Sequence, residues 1–360
     1  MKDSYLLKDL KALCELPGPS GREDLVASFL FHEITALGIE CKIDALGSVI
    51  AHYPSPEISQ GKVLVCGHMD EVGFLVLSIY DNGLIKAKSV GGMNTSELAA
   101  SRVKLVTKQN KEIRGCISAT APHLLSESNV GSEDLYFDFG FTSKKEAERS
   151  GVSILDMIVF DEPFVLLKGK KRFLTKAFDD RYGCALGLSL LKDLVSGNVQ
   201  LPFSLSVAFS VQEEVGCRGM GPIINHVHPD VCIIVDSSPS RDNQESPSGL
   251  GILDKGILIR YLDRAQIFYK PLLDWQIKMC EKANVPYQMY NSLGSTDSGV
   301  AHKHLSGVFS FVHGVAVRNI HSPSGVASVK DYIDAYKVLR TMIENIDSNL
   351  IAFFKKGGIE

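Results

Sequence analysis

The chain has 360 residues, 45% of them hydrophobic and 22% charged, with a formal net charge of −4. That is an ordinary globular composition, long enough for two domains or for one domain with a large insertion. It excludes the basic footprint of a nucleic-acid binder, and no apolar run is long enough to span a membrane.

The N-terminal stretch carries acids and lysines inside its apolar pattern, so it does not read as a signal peptide. Residues 1–16 read as an amphipathic helix with Leu6, Leu7, Leu10, Leu13 and Cys14 on one face. Pro17-Gly18-Pro19-Ser20-Gly21 breaks it. Ser20, with Glu23 three residues on, reads as the capping box of a second helix running to about Leu37. Short strands are expected at 40–44 and 48–52. A loop marked by Pro54 and Pro56 follows, then a buried strand at 62–66 that leads into GHMDEVGF.

From Phe74 to about Lys171 hairpin-linked strand runs dominate: SIYDNGLIKAKSV, RVKLVTKQNKEIRGCISA, EDLYFDFGF and FVLLKGKKRFL. Only Ser143 to Glu148 looks helical. This reads as a small all-β domain, residues 74–171, inserted into an α/β domain made of residues 1–73 and 172–360. The α/β pattern resumes with a helix over Gly183–Val195 and a strand over 204–212. After a loop comes a strand over 231–235, then a polar turn at Ser237–Arg241. A strand within 250–260, a helix over Pro271–Ala283 and a strand-like 285–290 follow. The last buried strand is placed at 307–317, and Ser328 and Asp331 begin a C-terminal helix.

The chemistry-bearing residues fall at the C-terminal ends of these strands. His68 and Asp70 follow 62–66, Glu213 and Glu214 follow 204–212, Asp236 follows 231–235 and His321 follows 307–317. That edge of an open parallel sheet carries the ligand crevice. Asp179, at the head of a helix, could join them. Paired buried carboxylates cost several kcal/mol unless a cation offsets them. Two imidazoles with several carboxylates, and no cysteine, suit Zn²⁺, Co²⁺ or Mn²⁺ at a non-structural site. Asp179 would bridge two ions, and Asp70 would orient the His68 imidazole.

Each piece has a plainer reading. His68 alone is a strand-end histidine, Asp179-Asp180 a helix cap, Asp236 a strand-end acid and His321 a turn residue. Their common position is what favours the metal site. No G-x-S-x-G elbow, P-loop or dinucleotide fingerprint competes with it.

GHMDEVGF, KAFDDRYG, QEEVGCRG, IIVD and RNIHSP, in this order, resemble the dinuclear metallo-aminopeptidases of the tetrahedral glutamyl and deblocking aminopeptidase group. PGPSG, GCISATAPHLL and GSTDSG extend the resemblance over nearly the whole chain. It implies a mainly parallel-sheet α/β/α metallopeptidase domain whose inserted β domain is a PDZ-like barrel used for dimerisation. It further implies two divalent ions per subunit, zinc or cobalt with manganese possible. His68 and Asp236 would complete one ion's site, Glu214 and His321 the other's, and Asp179 would bridge. Glu213 would be the general base acting on a metal-activated water, and Asp70 would orient His68.

The implied activity is removal of N-terminal residues from short peptides with a free N-terminus. The implied assembly is of dimers building a hollow dodecamer. Two departures stand. Gly294-Ser295-Thr296-Asp297 replaces the commoner GGTD, and Ser324-Gly325-Val326 stands where an acid is usual after HSP, next to His321. Some relatives carry an endoglucanase label, but no separate carboxylate pair supports a glycosidase. Rival readings are a deacylase or carboxypeptidase on the same scaffold, or a catalytically silent assembly protein. Eight cysteines without a CxxC pair, most in apolar runs, point to reduced thiols and a cytoplasmic location. Neither nucleic acid nor membrane is an expected partner.

Overall fold

Three apolar runs too continuous for one-faced strands build the middle of the main sheet. Lys62–His68, Ser204–Ser210 and Val231–Val235 are buried on both faces almost throughout, as parallel strands covered by helices must be. The computed structural model describes residues 2–54, 61–119, 135–243 and 251–356. In it Lys62–His68 lies between the other two, parallel to both, and Phe309–Gly314 extends the parallel set. Val49–Tyr53 and Glu40–Ile43 add antiparallel strands on one side. Ile257–Leu262 and Tyr287–Asn291 complete eight strands on the other.

Phe178–Ser196 is buried nearly all round, so it is a core helix rather than an amphipathic surface one. It packs on the His68 strand and on helix Lys2–Glu15. Gly187 permits its approach to the sheet: a Cβ there would lie 2.9 Å from Val207 Cγ1. Among the described residues no helix is long and apolar enough to cross a membrane.

The inserted part closes into a six-stranded barrel in the order Gly73–Ile79, Ile85–Val90, Leu135–Asp138, Glu112–Ile117, Arg102–Val106 and Met157–Phe160. Closure removes the exposed edges of so small a sheet. Phe74 fills its centre, edge-on to Phe137 at 4.9 Å and to Phe160 at 5.8 Å between ring centroids. The short helix is present at Lys144–Arg149, capped by Ser143.

Four sequence expectations are corrected. The FVLLKGKKRFL hairpin is not a barrel hairpin. Val165–Leu166 and Arg172–Thr175 pair with each other, and the latter with Gly325–Ser328, in a separate five-stranded sheet. The single strand at 307–317 is two, Phe309–Gly314 in the main sheet and Ala316–Arg318 in the second. The polar turn after Asp236 contains strand Ser238–Ser240, which pairs with Ala316–Arg318. Two neighbouring chains thus step together from one sheet to the other, and Asp236 sits at the step. Gly314 allows it, since a Cβ there would meet the Asp236 carbonyl at 2.8 Å. Finally, the loop after Glu214 holds helix Met220–Val227, whose eight residues include a proline. Pro56, the residues from Thr120 to Leu125 of the GCISATAPHLL motif, Glu133, Asp134 and Leu250 lie outside the described residues.

Candidate active site

Three adjacent strands deliver their polar residues to one place. His68 is the last residue of its strand, and Asp236 follows Val231–Val235 directly. Glu213 and Glu214 follow Ser204–Ser210 by a short turn. Asp179 enters at the irregular head of Phe178–Ser196, where it and Asp180 have non-helical dihedrals. His321 arrives from the second sheet, beyond Ala316–Arg318, and not from a main-sheet strand as the sequence suggested. Ala177, Gln212 and His321 hold positive φ of 55°, 57° and 57° without being glycine. Such conformations persist only where the surroundings over-determine them, and they flank the converging side chains.

Asp179 is the centre. His68 Nε2 lies 3.3 Å from its Oδ1, and His321 Nε2 lies 3.3 Å from its Oδ2 and 3.2 Å from Glu214 Oε1. Both imidazoles are held from behind. His68 Nδ1 donates to the Asp70 carbonyl at 3.0 Å, and His321 Nδ1 donates to the Gly92 carbonyl at 2.7 Å. A carbonyl only accepts, so each Nδ1 carries the hydrogen. Each Nε2 then either holds a second proton or turns a lone pair towards a carboxylate oxygen. A cation between them resolves that conflict. Asp179 Oδ1 and Glu214 Oε1 are buried without a hydrogen-bond partner, and atoms of His68, Asp179 and Glu214 lie within 4.8 Å of one another. Asp179, Asp180 and Asp236 form a second such group. The residues present therefore fit divalent cations.

The electrostatics carry the same signature. Burial opposes charge on His321, but the neighbouring carboxylates of Asp179 and Glu214 prevail and raise it to about 11. His68 is likewise raised well above its usual value, against burial, by Asp179 and Asp70. Burial and neighbouring acids push Glu213 and Asp236 far up.

Asp70 does more than orient His68. Its Oδ1 lies 3.3 Å from His68 Nδ1 and accepts from Glu213 N at 3.0 Å; its Oδ2 accepts from Glu214 N at 3.1 Å and from the Ser20 hydroxyl at 2.7 Å. This overturns the expected capping box. Helix Asp24–Ala36 has no side-chain cap, because Ser20 serves a buried carboxylate and Glu23 accepts from Gly21 N and Gln212 N. Asp180 accepts from His68 N and Gly183 N, tying the helix head to the strand end.

All seven residues expected from the sequence meet here. His68, Asp179, Glu213, Glu214, Asp236 and His321 line a cleft of about 250 Å³ and Asp70 lies behind His68. The loop after His321 closes on itself without the usual acid: Asn319 Nδ2 donates to the Ser324 carbonyl and Ser322 Oγ to the Asn319 carbonyl. Sequence reasoning missed Asp297, Cys217 and Arg260. Asp297 was visible within GSTD, and Cys217 four residues after Glu213. Arg260, inside an apolar strand, gave no signal.

It also missed a buried ion cluster. Glu71 pairs with Lys176 at 2.6 Å and Arg181 at 3.2 Å, and Arg181 binds the carbonyls of Leu13, Leu16 and Met69. Burial lowers the Lys176 ammonium to about 8 against the pull of Glu71. Glu71→Gln leaves two buried cations without their anion and is expected to cost about 3–5 kcal/mol of stability. Urea denaturation checks this, and a loss under about 1 kcal/mol would show the cluster to be idle.

A mixed α/β core with a carboxylate–imidazole cluster at its strand ends defines the class: a hydrolase of the metallopeptidase kind. Comparison with known proteins carries this further. A profile of the M42 glutamyl aminopeptidases matches residues 47–338, and the chain belongs to that family. The glutamyl aminopeptidase of Lactococcus lactis subsp. cremoris is 32% identical over 355 residues, covering 97% of this chain and 99% of the relative. The TET aminopeptidase of a marine-sediment Thaumarchaeota archaeon superposes with a TM-score of 0.92 at 30% identity, covering 98% of this chain and 100% of that one. The Pyrococcus horikoshii TET1 peptidase, described as assembling into a tetrahedron or a large octahedral shell, gives 0.83 at 29% identity, covering 95% and 100%. The protein is thus a peptidase that removes N-terminal residues, from a family that implies divalent metal ions.

Proposed function

We propose that the chain is a dinuclear metallo-aminopeptidase acting on short peptides with a free N-terminus. The observation that carries this is the Asp179 carboxylate, each oxygen facing a different imidazole Nε2 whose Nδ1 is already tied to a backbone carbonyl. His68 and Asp236 would hold one ion, Glu214 and His321 the other, with Asp179 common to both. The all-nitrogen-and-oxygen donor set suits zinc or cobalt, with manganese possible. When bound, such ions supply Lewis acidity that polarises the scissile carbonyl and acidifies water.

Glu213 is the general base. Its backbone N–H is pinned by Asp70 and its Oε1 accepts from the Cys217 thiol, leaving Oε2 to take a proton from the attacking water and return it to the leaving amine. Asp70 fixes the His68 ring, and Gly92, from the inserted part, fixes His321. Ser237, Arg260, Ser292 and Thr296 also line the cleft, with the Arg260 guanidinium paired to Asp263 at 3.3 Å. A panel of Glu-, Leu- and Lys-nitroanilides, free and N-acetylated, tests the reading on metal-loaded protein. Free amines are expected to be cleaved and blocked ones spared. Loss of the acetyl group from blocked substrates would favour the deacylase alternative, and no turnover the silent one.

The inserted residues 74–171 would mediate self-association, building dimers and then a dodecamer. Ile154 and Leu155 are 66% and 56% exposed on this part, with Leu77, Tyr80 and Tyr136 also open. Ile158 and Phe160 belong to the barrel core, and Met157 and Val159 on the same strand are also buried. Light scattering is expected to report a mass far above 39.3 kDa, and a monomer would sink the proposal. The eight cysteines are all unpaired, in keeping with a cytoplasmic location.

A further inference from the structure

A separate donor set meets at Glu213. The Cys217 thiol lies 3.2 Å from Glu213 Oε1, and atoms of Glu213, Cys217 and Asp297 lie within 4.8 Å of one another. Asp297 is only 2% exposed and Cys217 only 8%. One Asp297 oxygen accepts from the Ser210 hydroxyl, while Oδ1 is buried and has no partner. Leaving a carboxylate oxygen dry and unpaired is costly, and a cation is the partner it lacks. The backbone holds the set together. Cys217 N donates to the Glu213 carbonyl at 2.9 Å, closing a one-turn loop, and Asp297 begins helix Ser298–Ala301.

Charge bookkeeping points the same way. Asp70, Asp179, Asp180, Glu213, Glu214, Asp236 and Asp297 are buried close together. Asp70 and Asp180 accept backbone N–H bonds, whereas Asp297 Oδ1 accepts none. A thiol with two carboxylates prefers a borderline-soft or soft cation over magnesium or calcium.

We propose that Glu213, Cys217 and Asp297 form a third cation site, for a thiophilic divalent ion such as Zn²⁺ or Cd²⁺, and that its occupation inhibits the enzyme. Binding forms the sulfur–metal bond and releases the thiol proton to solvent. The bound ion occupies the Glu213 carboxylate, which then cannot take a proton. Activity should therefore rise with the first ions and fall with the next. Inhibition rests on Glu213 being the base, as read above; binding does not.

Cd²⁺ is the probe, added to the intact protein with its resident ions verified by elemental analysis before and after. The expected result is a saturable near-ultraviolet thiolate-to-cadmium charge-transfer band that is absent from Cys217→Ser. Asp297→Asn keeps the thiol and should shift the band's midpoint to higher Cd²⁺. Half-inhibition of Cys217→Ser, relative to its own uninhibited rate, should need at least about 10-fold more Cd²⁺, since even indirect partners of a metal contribute that much. No band in the unmodified protein, or an equal band in Cys217→Ser, would overturn the site and move the ion to another thiol such as the exposed Cys116. A band confined to the unmodified protein with no inhibition would keep the site and overturn both the inhibition and the role of Glu213.

Discussion

Glu213→Gln is expected to keep the fold and the bound metal while losing at least about 10²-fold in turnover, the lower range for removing a general base. The amide is isosteric with the acid. The backbone N–H at 213 still reaches Asp70, and the Cys217 thiol can still donate to the side-chain oxygen. What disappears is the capacity to take a proton. Glu213 is not among the residues proposed to hold the two catalytic ions, so elemental analysis without an added thiophilic ion should match the unmodified protein. Steady-state kinetics on a cleaved nitroanilide decides the matter. Near-native turnover would mean that another group takes the proton.

The second large effect belongs to Asp179. Its two oxygens face two different imidazoles, so Asp179→Ala removes a donor from both proposed ion sites at once. Metal content should fall from two ions per chain to one weakly held ion or none, with activity lost in step. His321→Ala removes a donor from one site alone, and a species with a single ion should survive. The fold should persist in both, because the neighbouring Asp180 carries the bonds to His68 N and Gly183 N. Two tightly held ions in Asp179→Ala would rule out a shared ligand.

How much of this was legible depends on how local the deciding interaction is. The central strands announced themselves because burial on both faces leaves an unbroken apolar run, and His68, Glu213 and Asp236 were readable as what lies at its end. The barrel was legible from its turns: Gly83 has a φ of +89°, and a Cβ there would strike the Phe141 carbonyl at 2.3 Å. Ser20 was misread because a capping box is judged from four residues, whereas Asp70 competes for the hydroxyl from fifty positions away. The strand at 307–317 looked single because Val315 is as apolar as its neighbours; only the pairing with two different sheets divides it. Arg260 and the Glu71 cluster escaped for the opposite reason. Lone charges in apolar surroundings carry no period, and their partners come from distant segments.

One carboxylate, Asp70, grips the ring of His68 and the backbone amides of both Glu213 and Glu214. The spacing between the Glu213 backbone and the His68 imidazole is therefore set by covalent geometry and contacts of 3.0 to 3.3 Å, all made by the polypeptide. One side chain thus sets the backbone of the Glu213–Glu214 turn against the strand end that carries His68. With the proposed role of Glu213, swapping one ion for another need not re-register the loop that carries it.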